Sequence, residues 1–254
     1  MKKQSTAIWA SVLLVLTALV LGSLVQYAFY GRDGDQIVLP GGDTQDHTSD
    51  SEIAKLNKAL LETLTVSKDN VSVLLSQLSR PAVYHWESRV TLTGDTGSGQ
   101  LQVSADEEDG MLRVSVRRGQ GAAEEYILTD LRFYAWESGD TLLYSGKRED
   151  FTGDEIMMSL TWEALLQAPE EQLLDAYVTQ ENNRDCIAVS ALDPISGYRL
   201  EYRISVEDGM LLSLTAFRET SQVYRVERLI LEQGVVRSGA FYLPDGSLPE
   251  TSNE

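Results

Sequence analysis

The sequence predicts an α+β fold: a curved antiparallel β-sheet covering helices, preceded by an N-terminal transmembrane helix. Three observations predict it. Short runs of period-two alternation fill most of the chain, two stretches carry helical periodicity instead, and one long uncharged segment lies near the N-terminus.

The uncharged segment comes first. No side chain between Lys3 and Arg32 is charged, and Ile8 to Phe29 is almost wholly apolar, long enough to cross a bilayer core, which takes about 20 helical residues. A cleavable signal peptide has a shorter apolar region of about 7 to 15 residues and a small-x-small cleavage site, and neither is found here. Residues 1–30 are therefore expected to be a cytoplasmic N-terminus and a retained signal anchor. Lys2 and Lys3 before it, against Arg32, Asp33 and Asp35 after it, place the chain as single-pass in the cell membrane with an extracytoplasmic C-terminal domain. Trp9, Tyr27 and Tyr30 fall where interfacial aromatics sit. No cysteine lies near its end, which excludes lipid modification at that point. Residues 31–50, rich in Gly, Asp, Ser and Thr, read as a flexible linker, and His47 within it as solvated.

The domain, residues 51–246, opens on helix. Ile53, Leu56, Leu60 and Leu64 form one stripe, and Val71, Leu74, Leu75 and Leu78 a second that ends at Pro81. Then the period becomes two. Tyr84, Trp86, Val90 and Leu92 alternate with His85, Glu87, Arg89 and Thr91; Leu101 and Val103 continue after a glycine-rich turn, and Leu112, Val114 and Val116 follow Asp109-Gly110. Further strands are expected at Glu125 to Thr129, Arg132 to Trp136 and Thr141 to Ser145. The alternation breaks between Asp154 and Gln180, where Trp162, Leu165 and Leu166, and then Pro169, Glu170, Glu171, Leu173 and Leu174, read as two short helices. Strand character resumes at Arg184 to Ala191 and in a meander of Tyr198 to Val206, Met210 to Phe217 and Val223 to Leu231, with Asp208-Gly209 as a tight turn. Six strands, helices and four or five more strands result. Residues 247–254 are expected to be a disordered tail.

With 39 acidic against 21 basic side chains the formal charge is −18. Such a body repels nucleic acid and anionic membrane surfaces, whose binding needs clustered Lys and Arg. The single cysteine, Cys186, permits no internal disulfide, so stability rests on packing.

Several motifs have chemical overtones that their surroundings remove. Asp95-Thr-Gly-Ser98 spells the aspartic protease signature, yet Thr93-Gly94 precede it where a hydrophobic strand is needed and no second copy exists. Asp106 to Gly110 lacks the dozen-residue spacing of a calcium loop and reads as a charged hairpin tip. His85 alternates onto the polar face beside Glu87, an exposed structural position. No metal-ligand spacing and no Gly-x-Ser-x-Gly elbow occurs. Tyr84, Trp86, Tyr126, Phe133, Trp136, Tyr144 and Trp162 fall on strands and on the covering helix. They are either core or the lining for an apolar ligand between sheet and helices.

Three local echoes carry a family likeness. Tyr126-Ile-Leu-Thr-Asp130 with Phe133-Tyr-Ala-Trp136, Asp208-Gly-Met-Leu-Leu-Ser213, and Phe241-Tyr-Leu-Pro244-Asp-Gly246 resemble the aromatic strand pair, the late hairpin and the closing strand of the LolA/RseB superfamily, the lipoprotein-localisation factors and sigma-regulators. The chain is similar to membrane-anchored Gram-positive members. The resemblance implies a half-barrel sheet over helices, able to hold an acyl chain or dock a partner. A tethered chain cannot shuttle cargo between membranes.

The expectation is therefore a non-catalytic binding or regulatory domain, without cofactor, taking a lipid or lipopeptide or an envelope protein as partner. Two alternatives stand beside it: a hydrolase of cell-envelope polymers using an acidic pair, and a structural activator of a separate cell-wall enzyme.

Overall fold

Two short helices lead into the sheet. The computed structural model describes residues 50–94, 97–141, 143–151, 162–194 and 196–252; the apolar segment, the linker with His47, and Asp95 lie outside them. Among the described residues no helix is long and apolar enough to cross a membrane. Helix α1 (Asp50–Thr63) buries Ile53 and Asn57 and half-buries Leu60 and Leu61. This corrects the expected stripe: Leu56 and Leu64 are exposed. The inward place goes to Asn57 because its side-chain amide donates to the Ser79 carbonyl at 2.9 Å and accepts from the Ser79 N–H at 2.8 Å, satisfying loop backbone that would otherwise be buried without partners. Helix α2 (Val71–Ser76) buries Val71, Leu74 and Leu75, with Leu78 just beyond it, as the spacing predicts.

The eleven strands are β1 (Tyr84–Gly94), β2 (Gly97–Glu108), β3 (Met111–Arg118), β4 (Ala123–Leu128), β5 (Arg132–Glu137), β6 (Tyr144–Lys147), β7 (Leu173–Glu181), β8 (Arg184–Leu192), β9 (Arg199–Ser205), β10 (Leu211–Arg218) and β11 (Ser221–Gln233). They make one open antiparallel sheet in the order β6-β5-β4-β3-β2-β1-β11-β10-β9-β8-β7. Two-residue turns that need left-handed backbone fix the register where Asp109-Gly110 (φ 51° and 76°) and Asn182-Asn183 (φ 52° and 64°) join strands.

Four readings of the sequence change. Leu173 to Gln180 is strand, because Glu170–Gln172 makes only a single 3-10 turn and the residues after it, rich in Tyr, Val and Thr, pair with β8. Strand β6 starts at Tyr144, three residues later than expected. Residues 206–210 make a longer turn than Asp208-Gly209 alone, closed by Ser205 N–H to the Met210 carbonyl at 2.8 Å. Phe241 to Gly246 is turn rather than strand, since Pro244 has no N–H for a ladder and Asp245 Oδ1 accepts from the Ser247 N–H.

One face of the sheet carries α1, α2 and the four-residue helix α3 (Ala164–Gln167); this is the inner face. Residues Leu101, Val103, Ala105, Val114, Val226, Leu214, Tyr202 and Val189 line it from successive strands, as alternation requires. The outer face is crossed by the segment after β11, residues 234–252. Residues 247–252, expected to be loose, run along β5: the Glu250 N–H donates to the Tyr134 hydroxyl at 3.0 Å, and Ile127, Tyr134 and Leu243 form a small second core beneath.

Candidate functional site

Three of the seven aromatic candidates meet at the centre of the inner face. Tyr84 and Trp86 point inward from β1 and are buried, and Trp162, just before α3, closes over them at 1% exposure. Trp162 Nε1 donates to the Gly209 carbonyl at 2.9 Å, while the Arg80 guanidinium lies 4.0 Å over its ring and pairs with Glu163. Burial pushes the Tyr84 hydroxyl well above its ordinary range, and the neighbouring Glu107 carboxylate adds to the effect. Burial likewise raises Glu107, partly opposed by the hydrogen bond from Tyr84. Arg228 reaches over Trp86 at 5.6 Å and donates to Asp208 Oδ1 at 2.9 Å.

The other four lie toward the β6 side of the sheet. Phe133 is buried between Tyr144 and Phe151, with ring centroids 5.6 and 5.1 Å away. Tyr126 is half-buried, its ring 6.1 Å from Phe151 and its hydroxyl donating to Glu124. Tyr144 is exposed at the β6 edge. Trp136 sits on the outer face, half-buried against the second core. Tyr126 packs against the same inner core as Tyr84, Trp86 and Trp162, Phe133 and Tyr144 continue that face toward the β6 edge, and Trp136 stands on the outer face.

The polar cluster that sequence reasoning missed lies on the outer face. His85 is 4% exposed, which corrects its expected exposure. Its Nδ1 lies 2.9 Å from Asp106 Oδ1, and its Nε2 is 2.9 Å from Arg237 Nη2 and 3.3 Å from Glu87 Oε1. An arginine only donates, so His85 Nε2 accepts from Arg237 and Nδ1 donates to Asp106. Asp106 Oδ1 also accepts the Arg237 backbone N–H at 2.9 Å. One strand further, Arg113 donates to Glu125 Oε2 at 3.1 Å and to the Ala240 carbonyl at 2.7 Å. Asp106 is therefore no hairpin-tip residue; it anchors the C-terminal segment. The pairing of His85 with Asp106 across β1 and β2 follows from the hairpin register, but the cover supplied by residues 237–243 has no periodicity to announce it.

Cys186 is buried on β8, and desolvation pushes its thiol up to about 11, so at neutral pH it is an unreactive thiol. Among the described residues no three His, Cys, Asp or Glu side chains group as a metal-binding set.

Among the described residues the architecture is an open antiparallel sheet whose inner face is closed by helices and aromatic side chains. No protein-family profile matches the sequence, and no curated protein matches it. Solved structures do. The chain is similar to MucB in its complex with the periplasmic part of MucA, at 14% identity and a TM-score of 0.37, with 62% of this chain and 52% of that one covered. It therefore spans about half the length of that MucB chain. It is also similar to LprF from Mycobacterium bovis (13% identity, TM-score 0.35, 76% and 97% covered) and to a LolA superfamily protein from Nitrosomonas europaea (4% identity, TM-score 0.32, 68% and 96% covered). At these identities and TM-scores the likeness extends to fold alone.

Proposed function

We propose that this chain is a membrane-anchored, extracytoplasmic, non-catalytic binding or regulatory domain that docks an envelope protein on its surface. The observation that carries the choice of a protein over a lipid is the filled inner face. Trp86, Trp162, Leu74, Leu75 and Leu165 are each at most 1% exposed and occupy the place where an acyl chain would lie. An outer face bearing the partly exposed Arg237 and Glu87, together with the β7 edge, which no strand covers among the described residues, is suited to a protein surface. The anchor follows from the apolar segment Ile8–Phe29 and its flanking charges.

The experiment isolates the full-length chain from native membranes after chemical cross-linking and, in parallel, titrates delipidated chain with phospholipid and lipopeptide. A stoichiometric cross-linked protein and no lipid saturation are expected. Saturable lipid binding that displaces no partner overturns the protein reading. A cysteine placed in the linker and labelled by an impermeant reagent in intact cells checks the location; labelling only after lysis overturns it.

A further inference from the structure

The two edges of the sheet are built differently. β6 is four residues long and ends on Lys147, the short, charged form by which edges avoid unwanted pairing. β7 is nine residues long and holds no Pro, Lys or Arg. Among the described residues no strand pairs with its outer side, so half its amides and carbonyls point away from the sheet. Its register with β8 is regular from Asp175 to Glu181, after one irregularity near Leu174. Leu174, Tyr177 and Val178 are 45%, 43% and 49% exposed. Tyr177 and Val178 are consecutive and so lie on opposite faces, which leaves apolar surface uncovered on both sides of this edge.

Charge says what fits there. No Lys, Arg or His occurs between Glu149 and Asn183, and Glu170, Glu171 and Asp175 are exposed beside or on the strand. A second copy of this chain would bring these carboxylates against their own kind. We propose that β7 is the docking edge for an extended segment of a protein partner that alternates apolar and basic residues and joins the sheet as a twelfth strand. This rests on the protein-docking reading above. Backbone hydrogen bonds supply the pairing; the apolar side chains, all on one face of such a segment, cover Val178 beside Ala176, and the basic side chains, all on the other, meet Asp175 beside Tyr177.

The test uses the full-length chain and a capped decapeptide of alternating valine and lysine, read by backbone hydrogen exchange along the sheet. The expected result is slower exchange confined to Asp175–Glu181 and its β8 partners, with binding that weakens as salt rises. The double variant Tyr177→Lys, Val178→Lys is expected to bind about tenfold more weakly while melting like the parent. Equal binding by that variant, by a valine and glutamate decapeptide, or by a peptide of the same composition interrupted by two prolines overturns the edge site, as does protection elsewhere in the sheet. Membrane cross-linking separates the two levels. A partner captured equally by parent and double variant overturns the edge and leaves the docking reading standing; no partner on either defeats the docking reading even where the peptide binds.

Discussion

Arg228 donates to Asp208 at 2.9 Å with only 2% and 5% of the two side chains exposed, tying β11 at the centre of the sheet to the turn that follows β9. Asp208 Oδ1 also accepts the Met210 N–H at 3.0 Å. Removing one member of a buried ion pair strands the other charge in a poorly solvated place. Asp208→Ala is expected to cost about 3–5 kcal/mol in urea unfolding. Adding Arg228→Met should recover much of that loss, because no charge is then left buried. A loss below about 1 kcal/mol for the single variant would show that water reaches the pair.

Gly209, next in the same turn, has φ +65°, and a Cβ on it would fall 2.5 Å from the Ser79 carbonyl oxygen. Gly197 has a similar φ of +69° but open space around it. Left-handed backbone costs a non-glycine residue about 1–2 kcal/mol, so Gly197→Ala should lose about that much and Gly209→Ala clearly more, with reduced near-ultraviolet signal from Trp162. Equal losses would mean that the loop before β1 yields without cost.

Core and edge aromatics should separate by stability. Trp86→Ala leaves a large hole in the inner face and is expected to cost about 3–5 kcal/mol. Tyr144→Ala removes an exposed ring and should stay within about 0.5 kcal/mol of the parent. Both are read by denaturant midpoint at constant slope. A mild effect at Trp86, with dye binding to the interior, would mean that the inner face has room for a ligand.

Glu107 gives a pH dependence with a definite sign. Its folded-state carboxyl is raised, chiefly by burial, so the folded protein holds a proton that the unfolded chain releases. Its contribution to stability is present below the ordinary carboxylate range and is lost as pH rises through the raised folded value. Glu107→Gln should therefore melt higher than the parent at pH 7 and converge with it in acid. A variant that is less stable at pH 7 would show that the charged form is the one the fold prefers.

On the outer face, Asp106 holds the C-terminal segment through the Arg237 N–H and through His85. Asp106→Ala is expected to cost roughly 1–3 kcal/mol and to speed amide exchange across residues 237–252 while leaving β8 to β10 unchanged. Uniform acceleration across the sheet would mean that the segment is not separately detachable.

The sheet was legible because alternation is a local property: Tyr84, Trp86, Val90, Val103 and Val114 declare their face one residue at a time. Helix α2 was legible for the same reason. What failed depended on contacts distant in sequence. Leu56 outranks Asn57 on any hydrophobicity scale, yet only Asn57 has the Ser79 backbone to satisfy. Leu173-Leu174 after two glutamates suits a helix start as well as a strand, and the pairing with β8 decides. The place of Trp136 on the outer face and the burial of His85 were hidden because the segment that covers that face follows no period.

Nine of the ten strand pairings in this sheet join neighbours in sequence; the exception sets Trp86 of β1 beside Leu231 of β11. Each half can zip up over short loops as it is made, whereas this one seam closes a ring from the first strand to the last, with the largest entropic penalty in the molecule. During synthesis β1 therefore waits with one side bare until the whole of the remaining sheet has left the ribosome. The newborn protein passes through a stage with a third open border at what will become its middle, and that stage is when it is most exposed to pairing with the wrong strand.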